Sequence, residues 1–175
     1  MRFQGNFPAK TDRKNRVFLP AQFRRVLASA AANAAADAAN TAADAANGAA
    51  GAGTGVAEAS EMLLYIRKDV FQDCLVLYPE EVWENELARL RSRLNKWIPQ
   101  QQNEYRQFLL DAETVSVDAN GRILLPQRLI DKIGLTPEVR FLGVDDTIEI
   151  WPKQALETPL VEEEEFGRLI QEIMK

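Results

Sequence analysis

The stretch DRKNRVFLP at residues 12–20 recurs as DANGRILLP at residues 118–126, with the same aspartate, arginine and apolar-Leu-Pro positions. A second pair follows in the same order, DCLVLYP at residues 73–79 and DTIEIWP at residues 146–152. The first pair is offset by 106 positions and the second by 73, so the first copy holds 33 additional residues. Agreement at two landmarks in one order indicates an internal repeat.

Each copy of the repeat predicts a strand, a tight turn, a strand, a short helix and two further strands. In the second copy the turn is marked by Asn120-Gly121, because both residues tolerate a positive φ. In the first copy Asn15 can occupy the same left-handed position. Pro126 is suited to begin the short helix, and Gly134 to end it.

Helices are expected between and after the two copies. Four apolar residues at helical spacing predict an amphipathic helix before Pro99, and a second helix should follow that proline. A further amphipathic helix is expected from Glu162 to Met174. The four spaced residues are Trp83, Leu87, Leu90 and Leu94.

The fold class predicted from this order is α+β, with two β-rich units in tandem. The extra length of the first copy coincides with Ala28–Ala59, an alanine-rich stretch expected to be a mobile surface excursion that fluctuates into helix. The predicted divisions are a first unit at 1–79 that includes the insertion at 28–59, a helical connector at 80–112, a second unit at 113–156 and a C-terminal helix at 157–175.

Positive charge is concentrated at the N-terminal end of an acidic chain. The 175 residues carry a net charge of −5, but residues 1–27 hold seven basic side chains and one acidic one. The remaining residues hold 14 basic and 25 acidic side chains. Such a molecule can present a basic face to DNA while its acidic part stays in solvent, although the charge alone is equally compatible with a solvated surface.

The chain lacks the residues that most often support catalysis. It contains no histidine, and its one cysteine, Cys74, has apolar neighbours and no activating partner in the sequence. We therefore expect no enzymatic activity, no catalytic residue, no metal, no cofactor and no small-molecule substrate. A single cysteine, no long apolar run and no secretory signal predict a cytoplasmic protein without membrane contact.

The repeated Asp-x-x-x-Arg turn supports the functional prediction. In each turn the aspartate can orient the arginine and accept from loop N–H groups. Only the first turn has basic central residues, which folding does not require. The predicted DNA-binding residues are Lys10, Arg13, Lys14, Arg16 and Arg24. The predicted turn-structuring residues are Asp12, Asn15, Asp118, Gly121 and Arg122.

The doubled turn, its apolar-Leu-Pro strand end and the segment CLVLYP at residues 74–79 together resemble the MraZ family. The resemblance covers most of the chain outside Ala28–Ala59, and Asn15 replaces the family's usual glycine. It implies two AbrB-like swapped-hairpin units that form a pseudo-dimer within one chain. It also implies a ring-like homo-oligomer in the nucleoid that binds double-stranded DNA at short direct repeats upstream of division and cell-wall genes.

Two other classes of protein remain open at this stage. AbrB-like units also occur in antitoxins, which wrap a toxin with a flexible tail, and the acidic C-terminus is compatible with that role. The second alternative is an oligomerisation module that binds only protein. Retention of DNA near physiological salt separates both alternatives from a regulator.

Overall fold

The computed structural model describes residues 1–45 and 62–175, and it has a mixed α+β fold with antiparallel sheets. The strands are β1 (Phe3–Lys10), β2 (Arg16–Phe18), β3 (Leu63–Lys68), β4 (Leu75–Pro79), β5 (Glu113–Ser116), β6 (Arg122–Leu124), β7 (Glu138–Asp145) and β8 (Thr147–Pro152). The helices are α1 (Ala21–Ala45), α2 (Glu80–Arg93), α3 (Pro99–Leu110), α4 (Gln127–Ile133) and α5 (Glu163–Ile173), with a 3₁₀ turn at Lys153–Leu156.

The two copies of the repeat exchange strands. Six strands form one sheet in the order β1-β7-β8-β4-β3-β5, and β2 pairs with β6 in a second, two-stranded ladder. The first strand of each copy therefore pairs with the third strand of the other copy, as β1 with β7 and β5 with β3. The last strands, β4 and β8, also pair with each other. Neither copy can complete its hydrogen bonding alone.

One apolar core lies between the six-stranded sheet and the layer formed by β2, β6, α1 and α4. Alternation along the strands places every second side chain in this core. On the ladder, Val17 and Ile123 point inward and are buried. Phe23 of α1 makes edge-to-face contacts with Phe3 and Phe7 of β1, with ring centroids 5.6 and 5.3 Å apart. Because the core combines residues of both copies, the repeats form one packed unit.

The opposite face of the sheet is covered by the connector helices and the 3₁₀ turn. Trp83 of α2 stacks between Tyr65 of β3 and Phe108 of α3, at centroid distances of 5.3 and 5.5 Å. The buried Arg67 places its guanidinium 3.9 Å from the centre of the Phe108 ring. This stack fixes α2 and α3 on β3, so the connector lies away from the two-stranded ladder.

The helix boundaries follow the sequence signals closely. α4 begins directly after Pro126 and ends at Gly134, whose φ of +61° forms the left-handed cap expected of it. α3 begins at Pro99 and α5 covers most of the expected C-terminal helix. The prediction for α2 was one residue too long, since Leu94 adopts an extended conformation just past the helix end. No helix in residues 1–45 and 62–175 is long and apolar enough to cross a membrane.

The alanine-rich insertion begins as a continuation of α1. Between Ala21 and Asp37 the last buried residue of this helix is Leu27, and the helix extends as far as Ala45. From Ala28 to Asp37 the side chains are exposed, apart from the half-buried Ala30. The insertion is therefore helical as far as Ala45, and its residues 46–59 lie outside the described residues.

Gly121 offers a test of how tightly the two copies interlock. Its φ is +80°, and an added Cβ would lie 2.5 Å from Nη1 of Arg24 in the other copy. We expect Gly121→Ala to lower the free energy of unfolding by about 1–3 kcal/mol, since both the backbone and a neighbouring guanidinium must shift. Urea denaturation measures the change. Asn15→Gly is the matched control, and an equal or larger loss in that variant would contradict the interpretation.

Candidate nucleic-acid interface

In the first turn Asp12 holds Arg16 through both its backbone and its side chain. Asp12 Oδ1 accepts from the backbone N–H groups of Lys14 and Arg16 at 2.8 and 2.9 Å. Asp12 Oδ2 accepts from Arg16 Nε at 2.8 Å and lies 2.7 Å from Arg16 Nη2. The carboxylate thus closes the turn and fixes the direction of the guanidinium, whose Nη1 remains available for a ligand.

The second turn has the same geometry with different central residues. Asp118 Oδ1 accepts from the backbone N–H groups of Asn120 and Arg122, each at 2.9 Å. Its Oδ2 accepts from Arg122 Nε at 2.9 Å. The two turns are therefore structural equivalents, and the difference between them lies in the side chains at their tips.

Each turn is also hydrogen bonded to the other copy of the repeat. Asn15, with a φ of +58°, accepts at its backbone oxygen from Leu125 N at 2.9 Å. Gly121 accepts in the same way from Leu19 N at 2.9 Å. Asn15 and Gly121 both adopt the left-handed conformation predicted from the sequence. The Asn15 side chain adds a bond to Gln127 Oε1 at 2.6 Å.

The basic residues predicted to bind DNA fall into three structural groups. The side chains of Lys10, Arg13 and Lys14 are exposed and make no hydrogen bond or ion pair within the described part of the chain. Arg16 is bound by Asp12 but one third of its side chain is accessible. Arg24 differs from the three unpaired residues and from Arg16, because its Nε donates to Leu19 O at 3.1 Å and its guanidinium lies against Gly121.

Arg24 thus has a packing function that the sequence did not reveal. It links the start of α1 to the turn of the other copy, and the equivalent position there is Ile130. An open groove of about 700 Å³ brings Arg24 together with Lys10 and the exposed Phe18. The corresponding groove of the second copy, about 450 Å³, contains Glu113 and no basic side chain. Of these two grooves, only that of the first copy therefore contains basic side chains.

Arg16 and Arg122 lie on the same outer face of the β2–β6 ladder. In the register of the ladder, Arg16 is opposite Leu124 and Phe18 is opposite Arg122. Phe18 and Leu124 share this face and are 59% and 58% exposed. Sequence reasoning missed these two residues, because each stands in a run of three apolar positions and only the register of the ladder separates it from its buried neighbours.

The remaining titratable groups give no support to catalysis. Cys74 immediately precedes β4 rather than lying within it, and burial raises the pKa of its thiol to about 12. A thiol with this pKa is protonated at neutral pH and is a poor nucleophile. Within residues 1–45 and 62–175 no group of acidic, histidine or cysteine side chains could hold a metal ion.

Comparison with known proteins identifies the relatives of this chain. The family described as "MraZ protein, putative antitoxin-like" matches residues 108–169. A transcriptional regulator MraZ of Bacteroides fragilis is 47% identical over 175 residues, covering 100% of this chain and 92% of its own. Regulators of the same name from Bacteroides thetaiotaomicron and Phocaeicola vulgatus are 44% and 42% identical over 174 residues, or 99% of this chain and 93% and 94% of theirs.

The duplicated fold, its turns and these relatives define the class of protein as a transcriptional regulator, and the expectation of a non-enzymatic protein is confirmed. The chain belongs to the MraZ family, as its resemblance indicated.

The pKa of Asp12 gives the turn a characteristic response to acid. Its pKa is lowered from 3.8 to about 2, first by the backbone N–H of Arg16 and then by the Arg16 side chain. The pKa of Asp118 is lowered by the equivalent groups of Arg122. Since these carboxyls are more acidic in the folded chain, their stabilisation is complete above pH ~4 and is lost as the pH falls, which for Asp12 extends towards pH ~2.

We expect the double variant Asp12→Asn, Asp118→Asn to be less stable than the unchanged protein at neutral pH. Its free energy of unfolding should also decrease less between pH ~4 and pH ~2, because the two titrating groups are gone. Urea denaturation at a series of pH values measures both effects. Asp146→Asn, at an exposed aspartate of the β7–β8 turn, is the control; an acid response in the double variant as steep as in this control would refute the turn's contribution.

Proposed function

We propose that the protein is a sequence-specific DNA-binding regulator that contacts DNA through the turn of the first copy. The observation that carries the proposal is the set of unpaired cations, Lys10, Arg13 and Lys14, beside an arginine that Asp12 holds in place. Cations without a partner in the protein are available to neutralise phosphates. The targets we propose are short direct repeats upstream of division and cell-wall genes, in the cytoplasm at the nucleoid.

The fold we propose is that of two AbrB-like swapped hairpins forming a pseudo-dimer within one chain. Support comes from the reciprocal pairing of β1 with β7 and of β5 with β3, together with the β2–β6 ladder between the copies. The unit boundaries of 1–79, 80–112, 113–156 and 157–175 belong to the same proposal. In this arrangement the two turns and the ladder make one continuous surface.

The basic residues have two proposed roles: some bind the phosphate backbone of the DNA, and another recognises the edge of a base. Arg13 and Lys14 are at the tip of the turn and, with Lys10, are suited to phosphate oxygens. Arg16 is held in one orientation and can direct its free N–H groups at a base edge, where arginine pairs best with guanine. Arg24 contributes from the groove through the part of its guanidinium that does not bind Leu19.

An antitoxin function is the second candidate, because the matching family is itself described as antitoxin-like. Such a protein would bind its partner with a flexible acidic tail, and α5 carries three glutamates in its first turn. That function would not need the unpaired cations of the first turn. DNA retained near physiological salt by the purified chain favours the regulator, and its complete loss there favours the antitoxin.

We also propose that several chains assemble into a ring-like homo-oligomer through α5. Every residue of α5 is exposed, including an apolar stripe that contains Phe166 and Ile170. The connector offers a complementary surface, since residues 89–106 hold five basic side chains and one acidic one. Trp97 lies within this stretch and is 81% exposed. The acidic, apolar α5 of one chain fits the basic, apolar connector of the next.

The binding proposal predicts a change in salt dependence. Arg13→Ala and Lys14→Ala should each weaken binding to all duplexes and reduce the slope of log K against log salt by about one. Arg16→Ala should cost about 1–3 kcal/mol on the preferred duplex and relax sequence preference. Arg122→Ala should affect stability more than affinity. Fluorescence anisotropy with selected and random duplexes provides the measurement.

Lys153→Ala is the matched control for these variants, because Lys153 is 45% exposed on the 3₁₀ turn, outside both the proposed DNA surface and the proposed assembly surface. It should leave the affinity and the salt slope unchanged. Equal losses from Lys153→Ala and Arg13→Ala would show that charge anywhere on the surface drives binding, and the proposed interface would be wrong.

The assembly proposal predicts that the apolar stripe of α5 determines the molar mass in solution. The purified chain should scatter light as more than two copies at micromolar concentration. Phe166→Asp combined with Ile170→Asp should reduce the mass to one or two copies, because charge cannot be buried unpaired in an apolar contact. Gln171→Asp, elsewhere on the same helix, should retain the full mass. A monomeric unchanged protein would contradict the proposal.

A further inference from the structure

We propose that Phe18 and Leu124 contact thymine methyl groups in the major groove of the bound DNA. The proposal rests on the DNA-binding function proposed above and extends it from charged to apolar recognition. It also gives the second copy of the repeat a part in sequence preference, through Leu124, which charge considerations did not indicate.

The first observation is the composition of the ladder's outer face. Two cations and two apolar side chains alternate on it, with Arg16 opposite Leu124 and Phe18 opposite Arg122. The inward residues Val17 and Ile123 are 1% and 0% exposed, so the ladder is anchored from below. The outward residues are therefore presented on a rigid support.

The second observation is that both apolar side chains are more than half exposed. Phe18 is 59% and Leu124 58% exposed, although a side chain of either type gains free energy on burial. Arg122 places its guanidinium carbon 5.9 Å from the centre of the Phe18 ring, which restricts where the ring can lie. The two apolar side chains lie diagonally across the ladder, each opposite an arginine.

The charges around this face favour DNA as the occupant. Arg16 and Arg122 flank the apolar pair, and the groove beside Phe18 contains Lys10 and Arg24. The acidic groups of the two turns, Asp12 and Asp118, are already bound to the arginines. A polyanion that also offers apolar groups therefore fits this face best.

Double-stranded DNA meets this requirement in its major groove. The groove is about 12 Å wide and admits a two-stranded ribbon, and the thymine C5-methyl is the apolar group exposed on its floor. Arg16 on the same face can bind guanine, so the ladder would combine polar and apolar contacts to neighbouring bases. Phe18 and Leu124 lie on different strands, and each would contact a different base pair.

The experiment compares thymine with deoxyuridine, which lacks only the C5-methyl group. The probe is a duplex recovered by the full-length, unchanged protein from a random-sequence library, and each thymine is replaced in turn. We expect about a fourfold loss of affinity for each methyl that is contacted, the factor for burying one such group. Phe18→Ala should bind the thymine duplex with a similar loss of affinity. Its affinity should not decrease further when deoxyuridine replaces the thymine that Phe18 contacts. Leu124→Ala should show the same behaviour at a different thymine.

Phe71→Ala is the matched control, because Phe71 is 88% exposed in the β3–β4 loop, away from the ladder. It should keep the full response to deoxyuridine. Equal affinity of the unchanged protein for thymine and deoxyuridine duplexes would overturn the proposal while leaving DNA binding intact. So would a Phe18→Ala variant that still responds at every position.

Two further outcomes separate this proposal from the others. If Phe18→Ala lowers the molar mass measured by light scattering, a second copy of the chain covers the face and the apolar contact to DNA is refuted. If the unchanged protein recovers no duplex from the library, the proposed function fails and this inference fails with it.

Discussion

The pairing of each repeat's first strand with the third strand of the other repeat is the constraint on which the rest of the structure depends. β1 has no partner other than β7, and β5 has none other than β3 within the described residues. Non-local pairing of this kind forces both copies to fold as one unit around one core. It also brings the two turns, which are more than one hundred positions apart in the sequence, onto one side of the molecule.

The two copies keep the same backbone but differ in chemistry. Asp12 and Asp118 fix their turns with the same set of hydrogen bonds, so the geometry survives the loss of glycine at Asn15. The turn tips face solvent and are free to vary, and only the first became basic. In the proposed regulator both copies meet the requirement for stability, whereas only the first copy supplies the charge for binding.

The sequence predicted most local features of the fold. The repeat predicted the positions of the strands, turns and short helices. Residues such as Asn15 and Gly134 mark turns and helix ends because they readily adopt a positive φ, which is a local property of each residue. The sequence predicted the β7–β8 hairpin but not the pairing of β1 with β7 or of β5 with β3, because alternation gives the buried face of a strand but not its neighbour. Nor did it predict that Arg24 packs on Gly121, because that contact joins residues of different copies.

The candidate site was predicted in part for similar reasons. Charged residues are visible in a sequence, so Arg13 and Lys14 could be selected by comparison with Ala119 and Asn120 of the second copy, but only the structure shows that they are unpaired. From the sequence, Phe18 would be assigned to the core, because it is the middle one of three consecutive apolar residues after Arg16. Only the register of the β2–β6 ladder shows that the middle one of these three faces solvent.

Amide hydrogen exchange of the full-length protein, with and without a duplex that it selects, tests the central claim most directly. The account predicts slower exchange in the bound state at residues 12–18 and 118–124, since the turns and the ladder form one binding surface. Exchange in the connector at 80–110 should be the same in both states. Protection of the connector with none at the turns would contradict the account.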